Sequence, residues 1–114
     1  MRESVLQNEI RLAIASPLVK LFRNNVGALN TADGRRVTFG LCVGSSDLIG
    51  ITSKTITLAD VGKQVAVFTA LEIKTSTGKV SPQQSAFIDM VNKSGGIGAI
   101  VRSVDDAKQV FAAQ

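Results

Sequence analysis

The segment Leu71-Glu72-Ile73-Lys74 ends an apolar run with a carboxylate and an ammonium two positions apart. Side chains alternate across a strand, so in a strand Glu72 and Lys74 leave the same face, roughly 7 Å apart at their roots. Ala66, Phe68 and Ala70 share that face. The pattern describes a reactive pair at the end of a core strand, and equally a surface ion pair where a strand meets solvent. A second carboxylate, Asp47, follows the turn Gly44-Ser45-Ser46 and opens the run Leu48-Ile49-Gly50. Asp and Ser favour turns, so Asp47 reads either as turn chemistry or as a carboxylate on a rigid strand beside that of Glu72. In the second reading Asp47, Glu72 and the Ile73 carbonyl offer oxygen donors to one Mg2+ or Mn2+, with water and a substrate phosphate completing the shell. That chemistry is phosphodiester hydrolysis. The cation polarises a phosphate oxygen and acidifies a water. Lys74 orients the water or stabilises the pentacoordinate charge, a task suited to a compact point charge.

Composition narrows the alternatives. The chain has no His, so imidazole metal sites and Ser-His or Cys-His catalysis are excluded. Without Trp or Tyr, and with five Phe mostly at apolar positions, stacking platforms for single strands are poorly supplied. The net charge of +4 suits a polyanionic partner. A length of 114 residues fits one domain. No apolar run approaches the roughly 20 residues of a membrane helix, and the amphipathic start is unlike a secretory signal. The single cysteine, Cys42, allows no internal disulfide and suits a reducing cytoplasm.

These residues need elements to hold them. Leu6, Ile10, Ala13 and Ile14 recur at helical spacing, which predicts a helix over 3–15 with those residues inward and Pro17 as its stop. Strands are expected at 19–23, 37–43, 47–52 and 65–74, the last a central one because both its faces are apolar. The stretch 24–36 carries turn or hairpin signals, and 53–63 reads as polar connection. Ser81 as N-cap with Pro82 at the first position opens a second helix, with Ala86, Phe87, Met90 and Val91 inward and Gly95-Gly96 as the stop. A strand over 97–102 follows, and Ser103 begins a last helix that buries Ala107, Val110 and Phe111. The order implies an α/β fold, a mixed sheet covered by helices.

Taken in order, the first helix with Glu3 and Gln7, Arg23-Asn24-Asn25-Val26-Gly27-Ala28, Gly44-Ser45-Ser46-Asp47-Leu48-Ile49-Gly50, Glu72-Ile73-Lys74, Ser81-Pro82-Gln83-Gln84 and Arg102-Ser103 resemble the VRR-NUC family. This is the virus-type replication-repair branch of the PD-(D/E)xK nucleases. The resemblance covers about residues 3–107 and implies a restriction-endonuclease-like α-β-β-β-α-β core. By that resemblance Asp47 and Glu72 are metal ligands, together with the Ile73 carbonyl, and Lys74 is the catalytic lysine. An acidic residue on the first helix joins them: Glu3, with Glu9 as the competitor. Gln84 matches the family's glutamine, although Ser81-x-x-Gln84 is also a capping box. Arg23, Asn24 and Asn25 suit phosphate contact and also suit a turn. Ser45, Ser46 and Arg102 fall in matched motifs and join them as DNA contacts. Arg35, Arg36, Lys54, Lys63 and Lys79 lie in expected loops, facing DNA or simply solvent. A stand-alone member resembles Holliday-junction-resolving enzymes, so the expected protein is a homodimeric endonuclease acting on branched or four-way-junction DNA, phage- or prophage-encoded. Flap or general branched-DNA cleavage, and a non-catalytic DNA-binding role, are the alternatives.

Overall fold

The computed structural model describes residues 2–114. Helix α1 spans Glu3–Ile14 and stops at its C-cap Ala15, two residues before Pro17. Six strands and two helices follow in the order β1 (Val19–Arg23), β2 (Gly27–Asn30), β3 (Arg36–Phe39), β4 (Leu48–Thr52), β5 (Thr69–Ile73), α2 (Pro82–Lys93), then β6 (Ile97–Val101) and α3 (Val104–Ala112). Strand pairing is both antiparallel and parallel, which is the mixed α/β class expected. It takes the form of two-stranded ladders. The chain divides into two compact units, Met1–Thr52 and Ser53–Gln114.

In the first unit β1 pairs antiparallel with β4, setting Arg23 opposite Leu48 and Leu21 opposite Gly50. Ile51 on β4 is the buried apolar residue of this ladder. β2 and β3 form a hairpin whose turn holds Asp33-Gly34, with Gly34 at φ +85°. This is the Asp-Gly signal read in the sequence. The strand expected over 37–43 ends at Phe39, because Gly40 sits at φ +86° and breaks the extended path. Residues 41–47 form a loop instead. No residue of α1 is buried, so its expected inward face of Leu6, Ile10, Ala13 and Ile14 is not covered within this unit. A bridge between Ser16 and Val19 joins the end of the helix to β1.

The second unit is a β-α-β arrangement. β5 and β6 run parallel, with Ala70 opposite Gly98 and Glu72 opposite Ile100. Parallel neighbours require a crossover connection, and α2 supplies it. Twelve helical residues span ~18 Å, a close match to the ~16 Å of a five-residue strand. β5 is shorter than the expected 65–74 because its ladder extends only as far as β6, which starts after Gly96 and ends before Arg102. The core is Val91, Ile88 and Val101, with Val91 completely buried.

The inward stripe of α2 is Gln84, Ile88 and Val91, at helical spacing, while Ala86 and Phe87 are exposed. Of the expected face Val91 is buried and Met90 half-buried, and the stripe is rotated from the rest of it. Backbone approach explains the rotation: a Cβ on Gly98 would meet the Ile88 carbonyl at 2.9 Å and Val91 Cβ at 3.3 Å. Glycines at 96 and 98 let α2 settle on the strands along its Ile88–Val91 line. Gly95, at φ +94°, turns the chain out of the helix, and the Gly96 amide donates to the Val91 carbonyl at 2.9 Å. Asn92 locks the return by exchanging two hydrogen bonds with the Gly98 backbone, at 2.9 and 2.8 Å. In α3, Ala107 and Val110 are half-buried as expected, whereas Phe111 is half-exposed.

The connection over 53–63 is more ordered than its polarity suggests. Leu58–Asp60 forms a short 3-10 helix with a capping box between Thr57 and Asp60. The Asp60 side chain is buried and takes Lys54 Nζ at 2.7 Å and Lys63 Nζ at 3.8 Å.

Candidate active site

Glu72 and Lys74 lie at the C-terminal end of β5. Partners in a parallel ladder share a face, so Ala70 and Glu72 point to the side of Gly98, which α2 covers. Lys74 continues the alternation onto that side. The Lys74 ammonium is 3.5 Å from Glu72 Oε1, and the side chains retain 20% and 30% of their exposure. The pair is neither a fully solvated surface contact nor a sealed one, as a site that must admit substrate requires. The Lys74 backbone amide donates to the Val101 carbonyl at 3.0 Å, fixing the root of the side chain to β6.

The first turn of α2 stands at the same end, because the helix runs back from the end of β5 to the start of β6. Ser81 Oγ accepts from the Gln84 amide at 3.1 Å, and Gln84 Oε1 accepts from the Ser81 amide at 3.0 Å. The capping box expected at Ser81-x-x-Gln84 is therefore formed. It uses the Gln84 oxygen, and Gln84 also belongs to the inward stripe of α2. A helix N-terminus favours negative charge nearby, which suits a phosphate approaching Lys74.

The first unit organises the other carboxylate. Asn24 follows β1 and is buried. Its Nδ2 donates to Ser45 Oγ at 2.7 Å and to the Ser46 carbonyl at 2.9 Å, and its Oδ1 accepts from the Leu41 amide at 2.9 Å. Its own amide donates to the Asp47 carbonyl at 2.8 Å. Ser45 Oγ in turn donates to the Cys42 carbonyl at 2.6 Å. One buried carboxamide thus holds the loop that leads into β4, leaving the Asp47 side chain exposed at the start of that strand. Asn24 and Ser45, expected at DNA, spend these groups inside the loop. Arg23 and Asn25, on either side of Asn24, are exposed, and so is Ser46.

Arg102, expected at DNA, uses one guanidinium nitrogen on backbone: Nη1 donates to the carbonyls of Thr75 at 2.7 Å and Gly78 at 2.8 Å. Glu3 and Glu9 are exposed on α1. Glu72 and the Ile73 carbonyl offer oxygen donors of the kind a hard divalent cation takes, on one strand of the second unit, and Asp47 offers its carboxylate within the first. Among the described residues no three acidic, His or Cys side chains gather into a ready-made cage. Mg2+ commonly binds one or two carboxylates and completes its shell with water and substrate phosphate.

A family model described as VRR-NUC domain matches residues 20–105. The chain belongs to the VRR-NUC family. The matched range holds Asp47, Glu72, Lys74, Gln84 and Arg102, whereas Glu3 and Glu9 lie outside it. The VRR-NUC family is one of nucleases, so its membership gives the chain a nuclease domain whose substrate is DNA, in a family that generally uses divalent metals. Comparison with curated proteins and with solved structures gave no match. Among the described residues no helix is long and apolar enough to cross a membrane.

Proposed function

We propose that this VRR-NUC chain is a metal-dependent, structure-selective endonuclease that hydrolyses phosphodiester bonds in branched DNA, and that its 114 residues act as one nuclease domain. The observation that carries the reading is the partly buried Glu72–Lys74 pair at the end of β5, inside the family match. The two side chains retain 20% and 30% of their exposure, which would leave the Glu72 carboxylate within reach of a cation from solvent. Glu72 and Asp47 are the assigned metal carboxylates, with the Ile73 carbonyl as a neutral donor and Glu3 (or Glu9) as the helix carboxylate. A bound Mg2+ or Mn2+ supplies Lewis-acid activation of the phosphodiester. Lys74, released from Glu72, directs its ammonium at the phosphate or the attacking water and stabilises the charge that develops in displacement. Gln84, its oxygen held by the Ser81 amide, keeps its NH2 group for hydrogen bonding at the same end of the strand. Arg23, Asn25 and Ser46 are the assigned backbone contacts to DNA.

Four-way-junction resolution by a homodimer in the cytoplasm is the specific role proposed. A two-fold dimer puts one site on each of two strands, which matches the symmetry of a junction. Purified protein with Mg2+ or Mn2+ is to be tested on labelled four-way junctions, flaps and linear duplex. Paired symmetric cuts across the junction are expected. Trimming of flaps alone replaces junction resolution with flap cleavage, and binding without any cut leaves a DNA-binding role in place of the nuclease.

A further inference from the structure

We infer that Arg102 is a positioning residue for Lys74, acting through the turn that follows β5. The inference rests on the nuclease reading above for the role of Lys74, but the brace itself is a matter of backbone geometry. The residues after Lys74 form a turn in which the Gly78 amide donates to the Thr75 carbonyl at 3.1 Å. Arg102 Nη1 closes the same turn from the end of β6, donating to the Thr75 carbonyl at 2.7 Å and the Gly78 carbonyl at 2.8 Å. Val101, one residue earlier, accepts from the Lys74 amide at 3.0 Å. Two successive residues of one strand end thus hold Lys74 and both ends of its turn.

Arg102 is itself anchored. Its amide donates to Asp106 Oδ2 at 2.9 Å, and the Asp106 amide donates to the N-cap Ser103 Oγ at 3.0 Å. The first turn of α3 therefore fixes the root of Arg102, and the planar guanidinium carries that rigidity to residues 75–78. The two acceptors are neutral carbonyls, and among the described residues Arg102 makes no ion pair with a carboxylate. Without the brace, the turn is left with its internal Gly78–Thr75 hydrogen bond alone, which then opens more often, and the segment leaving the strand loses its tether to the end of β6.

The test compares wild type, Arg102→Gln and Arg102→Lys by hydrogen exchange of the peptide covering residues 74–80 and by cleavage kinetics over a range of salt. The brace predicts faster exchange at Gly78 in Arg102→Gln, with partial recovery in Arg102→Lys. It also predicts a fall in kcat of about 10–100-fold, as misplacement of a reacting group produces, with KM and the salt slope unchanged. A direct phosphate contact instead raises KM and lowers the salt slope by about one, and that pattern overturns the inference. Unchanged exchange in Arg102→Gln overturns it too. If the wild type cuts no DNA, the nuclease reading fails, and the exchange measurement still decides whether the brace exists. Should Arg102→Gln not fold, exchange in Arg102→Lys decides: faster exchange at Gly78 than in the wild type supports the brace, and equality contradicts it.

Discussion

The Asn24 carboxamide donates to Ser45 Oγ across 2.7 Å, joining the end of β1 to a loop 21 residues further along the chain. The same NH2 group reaches the Ser46 carbonyl, and the Asn24 oxygen takes the Leu41 amide. Asn24→Ala leaves those groups without their buried partner, a loss of about 1–3 kcal/mol. Urea denaturation is expected to report a lower unfolding free energy by that amount. The loop preceding Asp47 is expected to exchange its amides faster. An unchanged denaturation midpoint would show that the bracket does not hold the loop.

Asp60 gives the second unit a pH dependence. The Lys54 ammonium, the Thr57 amide and hydroxyl, and then Lys63 hold its carboxyl below the ordinary 3.8. A depressed carboxylate contributes stability that is fully present above the unfolded value and is lost as pH falls through the folded one. Thermal unfolding of wild type against Asp60→Asn is therefore expected to give a constant difference from neutral pH down to about 4. The difference should shrink below that as the unfolded chain takes up its proton first. A difference that stays constant into stronger acid would contradict the assigned ion pairing.

Glu72 is assigned to the cation. Glu72→Gln keeps the size of the side chain and removes its charge. Mn2+ titration followed by electron paramagnetic resonance is expected to show weaker binding, by more than the roughly 10–100-fold lost when an outer-shell partner is removed. Equal Mn2+ affinity in the variant would move the metal elsewhere.

Local signals in the sequence were legible where both partners sit within one turn. Ser81-x-x-Gln84, Gly95-Gly96, Asp33-Gly34 and Ser103 each mark the element boundary that the structure shows. The shared face of Glu72 and Lys74 followed from strand alternation alone, and the 3.5 Å pair agrees with it. Thr57-x-x-Asp60 carried the same kind of capping signal, yet the surrounding polarity read as plain connection. Long-range roles were not legible. Asn24 and Arg102 bond mainly to backbone, which carries no residue type, and Arg102 reaches its turn across 24 and 27 residues. The face of α2 was legible in part: Val91 was expected inward and is buried, but Gly96 just before β6 and Gly98 on it bring Ile88 onto the contact line in place of Ala86 and Phe87, and nothing within the helix announces that choice.

Lys74 is assigned to the chemistry rather than to pairing a charge at a strand end. Single-turnover cleavage of a labelled four-way junction with saturating Mg2+, wild type against Lys74→Ala, tests it most directly. Loss of a transition-state charge stabiliser is expected to slow cleavage by about 100- to 1000-fold, with the melting temperature and junction affinity close to wild type. Cleavage by Lys74→Ala at the wild-type rate would contradict the account.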